Sequence, residues 1–260
     1  MIVYPLESRL VKPGDSILRV FSKTLARNRV RLRSKDIIAV SSKIVGISER
    51  RIRDIRRIKP TREAIGLARR FSLTSPFAQA VLDESDIVIG GVKGALLTIK
   101  DGYAVANAGI DRKNAPLNSF VLWPHDPDLS ARTLRDEIRR EFGKHVGVVI
   151  VDSRVTPLRL GTTGLAIGAA GFRAVEDIRG NVDLHGRDIR ITFRAIADAL
   201  AATAQLVMGE SSEHKPFAII REAPVNMESD SGVREAKLAW NRCLYMSQIM
   251  PPRHDQSQDN

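Results

Sequence analysis

A chain of 260 residues that is 43% hydrophobic but only 5% aromatic can build one sizeable core from Val, Ile, Leu and Ala. Its 27% charged content excludes a chain too polar to collapse, and no run approaches the ~18 consecutive apolar residues of a membrane-spanning helix. The single cysteine, Cys243, excludes an internal disulfide and a thiolate metal cage, while the net charge of +11 favours anionic partners without choosing among nucleic acid, nucleotide and acidic metabolite. The start Met1-Ile2-Val3-Tyr4-Pro5 carries no basic region followed by an apolar block, so a reducing, cytoplasmic setting is the expectation.

Pro13-Gly14-Asp15 reads as a turn that leads into a helix over 16–26, with Ile17, Val20, Phe21 and Leu25 on one face. A short buried strand over 36–40 follows, then helices over 61–71 and 77–84. Strands are predicted at 86–89, 95–100 and 103–106, with Asp101-Gly102 as a tight hairpin turn. A highly charged helix over 134–142 is closed by Gly143, and the continuous apolar run 146–151 reads as a strand buried on both faces. Residues 161–171 are rich in small side chains. A strand at 189–193 runs into an Ala-rich helix over 194–208. A strand at 217–221, a loop over 222–232 and a last helix over 233–246 complete the chain. Helices and strands do not alternate regularly, which predicts an α+β fold. The expectation is one domain over 1–250, built as two intertwined subdomains, with 251–260 as a flexible tail.

Standard nucleotide and hydrolase signatures are missing. There is no Gly-x-x-x-x-Gly-Lys-Ser/Thr loop, no His-Glu-x-x-His and no Gly-x-Ser-x-Gly, and Gly164, Gly168 and Gly171 are spaced unlike a dinucleotide fingerprint. What stands out is a set of isolated acids at the ends of buried elements. Asp111 follows Asn107-Ala108-Gly109-Ile110, Asp152 ends the apolar strand, and Glu210 follows Met208-Gly209 at a helix end. Hard cations such as Mg²⁺ or Mn²⁺ take oxygen ligands, usually one or two carboxylates plus substrate phosphates. For any one of these acids alone, a turn or capping role is the commoner explanation.

The surrounding words are more specific. Asn107-Ala108-Gly109-Ile110-Asp111 is followed by Asn114, then by Pro124-His125-Asp126-Pro127-Asp128. Asp152-Ser153 and Arg159-x-Gly161 lead to Ala166-Ile167-Gly168-Ala169-Ala170-Gly171. Asp183-Leu184-His185-Gly186-Arg187-Asp188, Ala197-Asp198 and Met208-Gly209-Glu210 come last. In this order and spacing the chain resembles the coenzyme F-420:L-glutamate ligases, the gamma-glutamyl ligases of the deazaflavin coenzyme. The likeness runs from about Tyr4 to the last helix and is looser in the first third.

The resemblance implies an enzyme that joins the amine of L-glutamate to a carboxylate of a phosphate-bearing deazaflavin precursor. GTP would be the energy source, and the acceptor would pass through an acyl phosphate. It implies a homodimer and two divalent ions, Mg²⁺ or Mn²⁺, held by Asp111, Asp152, Ser153 and Glu210. Ser153 stands where the family has threonine and keeps the hydroxyl. Asp111, Asp152 and Arg159 are the implied catalytic residues. Nucleotide contacts would come from Ser8, Arg9, Leu10, Val11, Ser42, Lys43, Asn114, Met208, Gly209, Ser211, Ser212, His214 and Lys215. Two departures stand out: Ile47 replaces a lysine expected near the phosphates, and Val155-Thr156 replace a Gly-Arg pair, with Arg154 or Arg159 as candidates to supply the missing charge. They leave open two alternatives: a divergent paralogue that ligates a different acid and amine, and a protein that binds nucleotide or coenzyme without catalysis.

Other features have plainer explanations. The basic run Arg50 to Lys59 lacks interleaved aromatics for base stacking, so a solvated face is the better reading and nucleic-acid binding the weakest. No two histidines have metal-ligand spacing, although His214 lies close to Glu210. Asp198, in the Ala-rich helix, is either a buried hydrogen-bonding acid or a support for the metal. Cys243 reads as a small core residue.

Overall fold

The computed structural model describes residues 1–227 and 232–249. The expected tail over 251–260 and part of the 222–232 loop lie outside these residues. Strand β1 (Ile2–Leu6) leads to helix α1 (Ile17–Arg27), whose N-cap Ser16 accepts from the Arg19 amide. Strand β2 (Ile37–Ser41) runs directly into the short helix α2 (Ser42–Ser48), and β3 (Ile52–Asp54) follows. Helices α3 (Arg62–Phe71) and α4 (Ser75–Glu84) precede an antiparallel meander of β4 (Ile87–Val92), β5 (Ala95–Lys100) and β6 (Tyr103–Ala106). Strand β7 (Ser119–Val121) pairs with β3, and helix α5 (Pro127–Phe142) comes next. Strands β8 (Gly147–Val155) and β9 (Thr162–Ala170) form a long hairpin. The short pair β10 (Val175–Asp177) and β11 (Phe193–Ala195), helix α6 (Ile196–Met208), strand β12 (Phe217–Arg221) and a one-turn helix α7 (Met246–Ile249) complete the order. This is an α+β fold. No helix among the described residues is long and apolar enough to cross a membrane.

The central sheet has the order β1-β12-β2-β8-β9, antiparallel except for the parallel pair β2–β8. Its inner strands are buried on both faces, and alternate residues serve two cores. Ile38, Val40, Val148, Ile150, Phe217 and Ile219 pack with Val20, Phe21 and Leu25 of α1 and Leu134 and Ile138 of α5. Ile37, Ala39, Val149, Val151, Ala218 and Ile220 face Ala197, Leu200, Ala201 and Ala204 of α6. A third cluster, with Phe71, Phe77, Leu96, Ile110 and Phe120, lies under the meander.

The small-residue tract is the strand β9. Ala and Gly are poor strand formers, so propensity does not announce it. The tract is selected instead by two helices pressing on it: a Cβ on Gly168 would lie 2.3 Å from the Pro127 carbonyl oxygen of α5, and one on Gly164 equally close to the Ala201 backbone of α6.

Helix α5 begins earlier than the predicted 134–142, because the Asp126 side chain caps it by accepting the Leu129 amide at 2.9 Å. The strand predicted at 189–193 lies later, as β11. Ile189 instead closes a turn, its N–H donating to Asn181 and its carbonyl accepting from Gly180. The helix predicted over 233–246 is replaced by 3-10 turns at Val233–Ala236 and Trp240–Arg242 before α7. Tertiary hydrogen bonds win over local helix here. The Val233 N–H donates to buried Asp128 at 3.0 Å, and Glu235 accepts from the amides of Ala174 (2.7 Å) and Val175 (3.2 Å). Cys243 follows the second turn and is only partly buried, rather than a core residue on a helix.

Candidate functional site

A cleft of about 210 Å³ opens where β1, β2 and α6 end, beside the middle of β8. The loop after β1 contributes Ser8, Arg9, Leu10 and Val11. Helix α2 contributes Ser42 and Lys43 from its first turn and Ile47 from its second, and the 111–118 loop Asp111 and Asn114. Strand β8 contributes Asp152 and Ser153, and the loop after α6 residues 208–216. All the metal and nucleotide positions drawn from the resemblance therefore meet in one place. Arg159 does not: it is exposed on the loop joining β8 to β9, beyond Val155 where the strand pairing ends. Arg154 does not line the cleft either. Its guanidinium lies 3.3 Å from Asp198 on α6. Asp198 also accepts the Ala166 amide at 3.0 Å, so it is a hydrogen-bonding acid that ties α6 to β9. Of the two departures, only Ile47 is in the cleft.

Asp152 owes its position to a bulge. The β8–β9 register shifts between Ile150 and Val151, leaving Ile167 as the extra residue on β9, and the Tyr103 hydroxyl donates to the Ile167 carbonyl at 3.3 Å. Such bulges re-aim the following side chains. The Asp152 carboxylate accepts from the Ser153 amide at 2.7 Å, from the Trp123 indole N–H and from the Ser42 hydroxyl. Its pKa is pushed up to about 6, chiefly by burial and further by the negative charge of Asp111. The donors from Ser153 and Trp123 offset part of this rise.

Asp111 reaches the cleft from the other side. It forms a β-bridge with Val121, with reciprocal 2.9 Å backbone bonds. Before it, Asn107, Ala108 and Gly109 all have positive φ (54°, 52° and 69°). This left-handed turn is held by the Leu96 amide on the Asn107 side chain (2.9 Å) and by the Ala108 amide on the Thr98 hydroxyl (2.9 Å). Gly109 lies flat against Trp123, where an added Cβ would sit 2.2 Å from the indole ring. The Asp111 carboxylate accepts the Lys113 amide at 2.6 Å and pairs with Lys43 Nζ at 2.8 Å.

The loop after α6 folds on itself. Glu210 accepts from Gln205, and the Glu213 carboxylate accepts the Ser211 amide at 2.7 Å, with loop amides holding its pKa below the usual range. Two cross-links join this loop to the cleft's other walls: Asn114 donates to the Ser211 carbonyl at 2.7 Å, and Ser8 to the His214 carbonyl at 2.8 Å. Asn114 thus ties two walls together.

The donor set suits a hard, oxygen-seeking cation: two facing carboxylates, one with its proton affinity raised by the other, plus a neighbouring hydroxyl. Among the described residues, no three of His, Cys, Asp and Glu converge tightly enough to form a complete metal cage. Two carboxylates with phosphate oxygens to complete the shell is the arrangement magnesium commonly takes.

Trp123 and Gln205 were not singled out from the sequence. Trp123 sits in Leu122-Trp123-Pro124, one word after the Asn-Ala-Gly turn. One of only two tryptophans in an aromatic-poor chain was the available signal.

The family described as F420-0:Gamma-glutamyl ligase matches residues 5–222. The chain is 35% identical over 234 residues to the coenzyme F420:L-glutamate ligase of Methanopyrus kandleri, covering 90% of each. It is 38% identical over 220 residues to that of Archaeoglobus fulgidus (84% of this chain, 86% of the relative). It is 40% identical over 202 residues to that of Methanococcus maripaludis strain C7 (77% and 81%). A family match over most of the chain, with several relatives above 30% identity along nearly their whole length, establishes that the chain belongs to the F420-0:gamma-glutamyl ligase family.

Proposed function

We propose that this protein is a GTP- and divalent-metal-dependent ligase that forms an amide between L-glutamate and a carboxylate of the phosphate-bearing deazaflavin precursor F420-0. The observation that carries this reading is the meeting of Asp111, Asp152, Ser153 and Glu210 with the residues 8–11 and 208–215 in one cleft of a chain from this family. In the proposed reaction an acceptor carboxylate oxygen attacks the γ-phosphorus, the bond to the bridging oxygen breaks and GDP leaves. The glutamate amine then attacks the acyl phosphate carbon, inorganic phosphate departs and the amine loses its proton. Such transfer depends on positioning and charge neutralisation more than on covalent work by the protein.

Asp152 with Ser153, faced by Asp111 and with Glu210 at the rim, would hold the Mg²⁺ or Mn²⁺. When bound, the ion supplies charge neutralisation on the phosphate oxygens. Ser8 to Val11, Ser42 and residues 208–215 would seat the nucleotide, with Lys43 and Lys215 as cations toward its phosphates. Ile47 favours a second reading, a paralogue ligating a different acid and amine, because an apolar residue that is 6% exposed occupies the cleft where a lysine is expected.

The proposal includes a homodimer. Leu158 and Leu160 at the β8–β9 tip, with Leu184 and Ile191 between β10 and β11, stand more than 85% exposed in the isolated chain. In the same reading the protein is cytoplasmic and does not act on nucleic acid.

Incubation with GTP, MnCl₂, L-glutamate and F420-0 tests the reaction. A glutamylated product with one GDP per amide is expected, and no product from Asp152→Asn. GDP release without acceptor dependence would refute the ligase reading, and product from another acid–amine pair alone would select the paralogue.

A further inference from the structure

The chain continues past residue 222, where the family match ends, and residues 233–237 fold back onto the body of the protein. Three contacts fasten them. The Val233 N–H donates to Asp128 of α5 at 3.0 Å, and the Arg234 guanidinium donates to Asp126 at 3.1 Å. Glu235 accepts the amides of Ala174 and Val175 at the start of β10. From this anchored segment Lys237 reaches the hairpin between β5 and β6. Its Cδ is 3.6 Å from where a Cβ on Gly102 would sit, and its ammonium lies 4.7 Å from the centre of the Tyr103 ring. Among the described residues it has no ion pair, so the ring is its partner.

Tyr103 stands at a junction. It belongs to β6, the strand that leads through the left-handed turn to Asp111. Its hydroxyl nevertheless donates to the Ile167 carbonyl at the β8–β9 bulge, on the central sheet. Its ring meets Trp123 edge-on, with centres 5.6 Å apart and planes at 89°, and the Trp123 indole donates to Asp152. Asp111 thus comes from the side of the third core cluster and Asp152 from the central sheet, and Tyr103 is one of the contacts that join the two.

We propose that Lys237 is a positioning residue for the carboxylate site: the segment 233–237 is a strap that holds Lys237 on Tyr103, and Tyr103 sets Trp123 and the bulge, and through them the placing of Asp152 relative to Asp111. The inference deepens the metal-dependent ligase reading and rests on it. Neither Lys237 nor Tyr103 touches the cleft, so their effect is on geometry and not on the reacting atoms. A cation over the ring face is attracted by its quadrupole, and the attraction is kept by arginine and lost with an uncharged side chain of similar length. Ligand groups must be held within a fraction of an ångström, so a loosened aromatic support is read out as weaker metal binding.

The test uses the full-length protein with Trp240→Phe, which leaves Trp123 as the one indole. Lys237→Met, Lys237→Arg and Tyr103→Leu are compared in that background, with melting curves to confirm folding. Two quantities are measured: acrylamide quenching of Trp123 without metal, and the Mn²⁺ half-saturation by electron paramagnetic resonance with a non-hydrolysable GTP analogue. Lys237→Met should raise quenching and raise the half-saturation about two- to fivefold, the size of an exposed cation–π contact, while Lys237→Arg stays with the parent. In the Tyr103→Leu background Lys237→Met should add nothing, because the two act as a unit. An unchanged half-saturation in Lys237→Met overturns the proposal and leaves the metal-dependent reading standing. A loss that persists in full without Tyr103, or that arginine does not restore, overturns it as well. No manganese on the parent protein overturns the metal-dependent reading itself, and this inference with it. The comparison of Met with Arg at position 237 decides even where Tyr103→Leu fails to fold.

Discussion

Replacing Asp152 by Asn should stabilise the metal-free protein at neutral pH, although it removes a central acid of the cleft. Burial, with the charge of Asp111, pushes the Asp152 carboxyl up to about 6 from an ordinary 3.8. A folded-state pKa above the unfolded value gives stability that is fully present below the unfolded value and is lost as pH rises through the folded one. The apo protein should therefore lose stability between about pH 4 and pH 6 on account of this group. Roughly two pH units at ~1.4 kcal/mol each set an upper limit of about 3 kcal/mol. Because Asp152 keeps some contact with solvent, about 1–3 kcal/mol is the realistic range. The Asn variant carries no charge but offers one acceptor oxygen to the two N–H donors of Ser153 and Trp123, which returns about 1 kcal/mol of cost at every pH. Melting curves in EDTA should show Asp152→Asn at or below wild type at pH 4.5 and a few degrees above it at pH 7.5, at ~2–4 °C per kcal/mol. Added Mn²⁺ with nucleotide should raise wild type and leave the variant unmoved. A constant difference between the two proteins from pH 4.5 to 7.5 would refute the reasoning.

Trp123→Phe removes an N–H donor to a carboxylate, worth about 1.5–3 kcal/mol, and should raise the Mn²⁺ half-saturation at pH 7 by roughly tenfold or more in a calorimetric titration; an unchanged midpoint removes Trp123 from the site. Gly109→Ala forces a Cβ to 2.2 Å from the same ring at φ +69°, so indole fluorescence and metal uptake should change together, and a silent variant would be evidence against the coupling. Asp36→Asn breaks a buried pair whose bonds to Arg221 are 2.8 Å. It should cost about 3–5 kcal/mol in urea unfolding while leaving nucleotide affinity intact at temperatures where the protein is folded. The double variant Leu158→Asp, Leu160→Asp should run as a monomer in light scattering with a near-normal melting temperature; a wild type that is already monomeric refutes the dimer proposal.

The legible parts of the fold were those where side-chain pattern and burial agree. The run 146–151 is apolar because β8 is covered on both faces, and the 95–106 hairpin is marked by Asp101-Gly102 at its turn. What the sequence hid were elements decided by distant partners. Strand β9 is written in Gly and Ala, since its place between α5 and α6 admits little else, and local preference reads such a tract as anything but strand. The segment 233–246 has composition suited to a helix, yet Asp128 of α5 ties Val233 to β9 through the shared Ala169 amide, and Glu235 ties the segment to the start of β10. Neither acid advertises a partner 40 to 105 residues away.

The cleft was legible as a set of words and not as a machine. Asp111 and Asp152 could be named because each ends a buried element, but nothing local to either indicates that they share one support. The geometry supplies it. Two non-glycine residues at positive φ, Asn107 and Ala108, carry strain of ~1–2 kcal/mol each, and strain of this kind persists only where the surroundings over-determine it. Here the Leu96 amide and the Thr98 hydroxyl hold the turn, and the turn lays Gly109 against Trp123. From that one arrangement the chain runs two residues on into Asp111, while the indole reaches across to Asp152. The strained turn thus fixes both carboxylates at once. A substitution that relaxes it should disturb them together, which is why Asn-Ala-Gly reads as a unit and why its glycine is as demanding a position as the acids themselves.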